Sequence, residues 1–183
     1  MIHIFKAVAV FSVISFLIGV SLIPTLQSDE PPVGTTIFVD DNADSSWYDA
    51  THVKTIQEGI ENASSGDIVY VYNGTYNEHL VINKALVLIG EKGNEPIIDS
   101  NFTTIQILAH NVTISGFKIR QSEGSDPGGH AISINAHNCS IFNNTLSVFS
   151  DGSGITITGS NNKIVNSKPP TPNNIQNISF SPQ

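Results

Sequence analysis

The sequence predicts an all-β solenoid, in which short parallel strands stack coil upon coil, and two observations carry that expectation. The first is a pair of repeats that shift together. Thr104-Ile-Gln-Ile, Ala131-Ile-Ser-Ile and Gly154-Ile-Thr-Ile form one series. Asn111-Val-Thr-Ile, Asn138-Cys-Ser-Ile and Asn162-Lys-Ile-Val form the other. Ile105 to Ile132 is 27 residues, Ile132 to Ile155 is 23, and Ile114 to Ile141 is again 27. A sandwich has no reason to shift two independent features by one amount, whereas coils of about 20–30 residues do so by construction. The second observation is composition: 25 Ile and 18 Asn stand in a chain only 13% charged. Stiff, β-branched Ile suits a ladder of stacked strands, and Asn tolerates the left-handed turns between them. Asn111, Asn138 and Asn162 (or Asn161) are therefore expected to form an internal asparagine ladder, which would deny the first two to glycans.

From the N-terminus, Ala7 to Ile23 is an uncharged apolar stretch that follows Lys6 and ends at Pro24. It lies between the length of a signal-peptide core, about 7–15 residues, and that of a spanning helix, about 20. Residues 1–28 thus read as an export signal or a retained membrane anchor, with the remainder outside the membrane. Residues 29–51 form a connector, a short strand (Thr36–Val39) and the turn-rich loop Asp40–Ser46. Val53, Ile56, Ile60 and Ala63 recur at helical spacing and predict a helix over His52–Ala63. Ten short apolar runs follow: Ile68–Tyr72, Leu80–Ile82, Leu86–Ile89, Pro96–Ile98, Ile105–Leu108, Val112–Ile119, Ile132–Ile134, Ile141–Phe149, Ile155–Ile157 and Lys163–Val165. Helix and solenoid together span 52–167. Residues 168–183 are a Pro/Asn-rich, linker-like tail.

Charge and cysteine content narrow the function. The whole chain carries −8, and loss of 1–28 with Lys6 leaves seven basic against sixteen acidic residues, or −9. Such a surface, with Arg120 the sole arginine, excludes a nucleic-acid binder and disfavours acidic polymers. The lone Cys139 excludes an intrachain disulfide and a Cys-rich zinc site, and its phase in the repeat makes it a small core residue.

Ile37-Phe-Val-Asp-Asp-Asn, the run His52–Glu78 and Leu80-Val-Ile-Asn-Lys-Ala-Leu-Val-Leu-Ile-Gly-Glu resemble the opening of pectin-lyase-like, right-handed parallel β-helix proteins. The flavour is that of NosD-like surface proteins with a CASH domain. The resemblance covers roughly Ile37–Ser167 and implies four to five coils closed by an N-terminal capping helix. It implies a carbohydrate-related surface role without fixing an activity, because this fold hosts lyases, hydrolases and non-catalytic proteins. The C-terminal end lacks a convincing cap, which suggests a truncated relative or self-association through that end.

Several side chains are candidates for chemistry. Lyases of this fold pair a basic residue with calcium-binding carboxylates against an acidic sugar. Arg120, Glu123 and Asp126 are the residues here that could attempt this, although they map onto no lyase motif. A solvated acidic loop is the blander alternative. Asp40, Asn42 and Asp44 alternate as oxygen ligands for calcium, but Ser45 and Thr51 stand where an EF-hand needs Gly and Glu. Histidines 52, 79, 110, 130 and 137 show no metal-site spacing, and the only methionine lies in the export region, so specific copper binding is not expected. Trp47, Tyr48, Tyr70 and Tyr72, with Tyr76, are the candidate sugar-binding aromatics, with packing under the helix as the alternative. Asn62, Asn73, Asn101 and Asn177 are candidate glycosylation sites among seven Asn-x-Ser/Thr sequons. Three functions follow: an exported, non-catalytic carbohydrate-binding or structural module; a calcium-assisted polysaccharide lyase or hydrolase; or a fragment without independent activity.

Overall fold

The computed structural model describes residues 34–122, 129–149, 153–165, 167 and 178–180. The export segment, Glu123, Asp126 and Asn177 lie outside this set. In chain order the elements are β1 (Thr36–Val39), β2 (His52–Val53), α1 (Ile56–Asn62), β3 (Ile68–Val71), β4 (Thr75–Asn77), β5 (Leu80–Ile82), β6 (Val87–Gly90), β7 (Ile97–Ser100) and β8 (Ile105–Ile107). They continue with β9 (Thr113–Ser115), β10 (Lys118–Gln121), β11 (Ile132–Ile134), β12 (Ser140–Phe142), β13 (Thr145–Val148), β14 (Ile155–Ile157), β15 (Lys163–Val165) and β16 (Ile178–Phe180).

Every pairing is parallel, and each strand meets its partner one coil away. The result is three sheets: β15-β12-β9-β6-β3-β1-β2, β13-β10-β7-β4 and β16-β14-β11-β8-β5. The chain is therefore an all-β parallel solenoid with one short N-terminal helix. Three full turns separate β3 from β12, the sheet-one strands of the first and last complete triplets. The expected isoleucine ladders are in register: Ile105↔Ile132↔Ile155 in one sheet and Ile114↔Ile141↔Ile164 in another. All but Ile164 are buried. Burying one such side chain contributes about 1.5–3 kcal/mol, so the ladders are the axis on which the coils hold together.

The corners differ from expectation in two ways. Val112–Ile119 and Ile141–Phe149 are each two strands, folded at Gly116 (φ 85°) and Asn143 (φ 54°). One left-handed residue turns the corner without interrupting the apolar pattern. The asparagine ladder is also placed differently. Asn111, Asn138 and Asn161 share a φ near 60° and are exposed, so they shape turns rather than fill the core. Their exposure removes the burial argument against glycans at Asn111 and Asn138. The internal amide is Asn144, which accepts from Phe117 N–H (3.1 Å) and donates to the Ile114 carbonyl (3.1 Å) one coil below. Asn162 does the same between Cys139 N–H and the Ala136 carbonyl.

Helix α1 is shorter than predicted. His52-Val53 joins the first sheet as β2, and Thr55 caps the helix by accepting from Glu58 N–H. The predicted stripe Val53, Ile56, Ile60 and Ala63 is buried. Glu78, from the turn after β4, accepts from Ile56 N–H (3.0 Å) and Gln57 N–H (2.9 Å), satisfying donors that a helix start leaves free. Among the described residues no helix is long and apolar enough to cross a membrane.

Candidate functional site

The alternation of β3 decides which side chains face outward. Val69 and Val71 are buried, so Tyr70, and Tyr72 just beyond the strand, stand on the other face. Parallel register then aligns His52, Phe38, Tyr70 and Ile89 across β2, β1, β3 and β6. Phe38 stacks on His52, with centroids 5.3 Å apart at 13°, and lies 6.1 Å from Tyr70 and 6.3 Å from Tyr72. Trp47 closes the cluster edge-on over His52 (4.6 Å) and Tyr72 (6.2 Å), and Tyr48 lies edge-on to Trp47 at 5.6 Å. Six rings thus form one outward platform, each partly exposed. Their neighbours are one another rather than the helix, so packing under the helix does not describe them. Tyr76 is not part of the platform. It is buried, its hydroxyl donates to the Tyr72 carbonyl (3.0 Å), and desolvation, followed by Asp41 and Asp40, holds its pKa well above the ordinary tyrosine value.

The loop carrying Trp47 is fixed by its own hydrogen bonds. Trp47 N–H donates to the Asp44 carbonyl (2.8 Å), Phe38 N–H to the Thr51 carbonyl (2.7 Å) and the Tyr48 hydroxyl to the Asp40 carbonyl (3.0 Å). Asp49 Oδ1 accepts from Thr51 N–H (2.7 Å), the Thr51 hydroxyl (2.9 Å) and His52 N–H (2.9 Å), and it meets His52 Nδ1 at 2.9 Å. These donors, Thr51 N–H first and the His52 ring next, push the Asp49 carboxyl down to about 2. Asp49 thereby fixes the orientation of the His52 ring through Nδ1. Phe38 was not singled out from the sequence, and His52 was weighed there only as a metal ligand and as the start of the helix. The available signal was the shared pattern of Ile37-Phe-Val and Val69-Tyr-Val, which stack in register.

Asp40 Oδ1 accepts from Asn42 N–H (2.9 Å), and Asp41 Oδ1 from the Asn42 amide (2.7 Å), so these oxygens close the turn. Asp44 is exposed. Among the described residues no group of three or more His, Cys, Asp or Glu is placed to hold a metal ion. The imidazoles of His110 and His137 lie 4.9 Å apart with their planes tilted by 50°, and the Nδ1 of each accepts a backbone N–H from the next coil, of His137 (3.0 Å) and Ser160 (2.8 Å). Buried Cys139 has its thiol pKa pushed up by desolvation.

The four-stranded sheet presents a second feature. Arg120 Nε (2.9 Å) and Nη2 (2.5 Å) both donate to Asp99 Oδ2, and the Ser122 hydroxyl donates to Asp99 Oδ1 (2.6 Å). Asp99 is buried, and its hydrogen bond raises the Arg120 pKa further above the ordinary arginine value. An open cleft of about 430 Å³ lies beside this pair, lined partly by Glu78, His79, Asp99 and Phe102. Its titratable groups are engaged: Glu78 with the helix start, His79 Nδ1 with the Thr103 carbonyl and Asp99 with Arg120. Asn62, Asn73 and Asn101 are all exposed, and the Asn62 amide donates to the Ala50 carbonyl (3.2 Å).

No protein-family model matches the chain. A stretch of 95 residues, half of this chain, is 37% identical to a cell surface glycoprotein of Methanothermus fervidus, and spans 15% of that protein. Among solved structures, a pectin methylesterase mutant in complex with a hexasaccharide is similar at a TM-score of 0.51 and 20% identity, over 70% of this chain and 48% of the enzyme. Pectin methylesterase PemA from Erwinia chrysanthemi is similar at 0.50 and 22%, over 67% and 49%. The chain thus spans about half the length of these enzymes. At such identities the likeness concerns the fold, and this chain has the parallel β-helix architecture of the pectin methylesterases.

Proposed function

We propose that the chain is an exported cell-surface module that binds carbohydrate through its aromatic platform without transforming it. One observation carries this reading: six partly exposed rings share the outward side of the seven-stranded sheet, while three of the four aspartates beside them, Asp40, Asp41 and Asp49, are bonded within their own loop. A flat π-surface packs on the apolar C–H faces of a pyranose, while hydrolysis or elimination requires a carboxylate or base beside the scissile bond. The surface location takes support from the named glycoprotein relative. In this reading the solenoid is right-handed, α1 closes its N-terminal end, and exposed sequons such as Asn73 and Asn101 carry glycans. The lyase alternative would use Arg120 as base, yet its bonds to Asp99 hold that proton more tightly.

Affinity electrophoresis through gels cast with neutral polysaccharides tests the proposal. Retardation that disappears in Trp47→Ala is the expected result. No retardation in any gel, or self-association that Trp47→Ala abolishes in sedimentation, would overturn it.

A further inference from the structure

We propose that the aromatic platform selects neutral or amino-bearing saccharides and turns uronic acids away. This rests on the carbohydrate-binding reading and adds a charge class to it. The polar rim of the platform is made of acceptors. Residues 38–52, which supply Phe38, Trp47, Tyr48 and His52, contain four aspartates and neither lysine nor arginine. Asp49, exposed and 2.9 Å from His52 Nδ1, puts a further carboxylate at this rim. The Tyr48 hydroxyl donates to the Asp40 carbonyl (3.0 Å), and desolvation, followed by the charges of Asp40, Asp41 and Asp44, raises its pKa. On the other flank Glu91 faces Tyr70 and accepts from Asn73 N–H (3.0 Å). Two lysines lie on the flanks, Lys54 after β2 and Lys92, whose backbone bonds to Tyr70, and both are exposed.

A rim this rich in carboxylate acceptors favours a ligand rich in donors. Sugar hydroxyls, amides and ammonium groups supply them, and an ammonium gains further from the ring faces. A uronate brings only more negative charge, and the platform has no arginine fork to receive it. The sign of the rim therefore departs from what an acidic polysaccharide requires, even though the fold is that of the pectin methylesterases.

The test titrates the full chain calorimetrically with hexasaccharides of N-acetylglucosamine, glucosamine and galacturonic acid. Each is run at about 20 mM and about 500 mM salt, because exposed charges about 10 Å apart are screened at 0.1 M and beyond. Asp44→Asn is run in parallel, since the Asp44 backbone carbonyl rather than its carboxylate holds Trp47. The neutral and amino sugars bind, and galacturonate binds at least tenfold more weakly at low salt. High salt and Asp44→Asn both narrow that gap. Galacturonate binding as tightly as the neutral sugar, or a gap that neither change moves, would overturn charge selection and leave the carbohydrate reading standing. Absence of binding by all three, at both salt concentrations, would remove that reading as well.

Discussion

Two of the three sheets of this solenoid handle polarity on their outward faces in opposite ways. On the four-stranded sheet Asp99, Arg120 and Ser122 are matched to one another, and little bonding capacity is left over for a ligand. On the seven-stranded sheet the rings of Phe38, Trp47, Tyr70 and Tyr72 are half covered by one another and half open. The difference separates structure from readiness to bind. A satisfied ion pair stabilises the coil that carries it, whereas a partly exposed aromatic platform retains a desolvation gain that only a ligand completes.

Substitutions can break or sharpen this contrast. Asn144→Ala attacks the frame that both faces share, leaving the buried Phe117 N–H without the acceptor that Asn144 supplies and removing its tie to the Ile114 carbonyl. It should lower unfolding free energy by about 2–4 kcal/mol and weaken both faces, as chemical denaturation would show. Arg120→Ala comes next. It strands a buried Asp99 carboxylate and should cost about 1–3 kcal/mol, toward the lower end because Arg120 is half exposed. Saccharide affinity should be unchanged, and a fall in affinity equal to that of a platform variant would erase the contrast. Trp47→Ala should weaken saccharide binding about tenfold, equivalent to about 1.4 kcal/mol, with Arg120 and Asp99 still paired. The smallest expected effect is acidic. The Asp49 carboxyl lies below its unfolded value of 3.8, so its contribution is complete above that pH and is lost as pH falls through about 2. A carboxyl-carbon NMR titration should place its midpoint near 2, and a midpoint near 3.8 would deny the clamp formed by Thr51 and His52.

The sequence revealed the solenoid through residues that repeat. Ile105, Ile132 and Ile155 recur because each must fill the same core position, and that need is written at a readable spacing. What the sequence concealed depends on contact between coils. Arg120 meets Asp99 21 residues away because β10 pairs with β7, and no local pattern announces that register. Trp47, Tyr48, Tyr70 and Tyr72 were visible as aromatics, but Phe38 and His52 join them only once β1 lies on β3 and β2 on β1. The helix start was misplaced because Val53 fits helical spacing and strand alternation alike, and Thr55 settles the boundary as the cap. Asn144 went unnoticed because its neighbour Asn143 takes the corner conformation, and only the folded corner distinguishes the exposed amide from the buried one.

Trp47 is the only tryptophan, and it sits on the platform, so its fluorescence reports on the proposed site alone. The most direct measurement is a titration of that emission with a neutral hexasaccharide. A saturable shift in intensity or wavelength, retained in Arg120→Ala, is the result this account requires. Emission unchanged up to millimolar sugar would contradict it, because a ligand stacked on these rings cannot leave the indole's surroundings as they were.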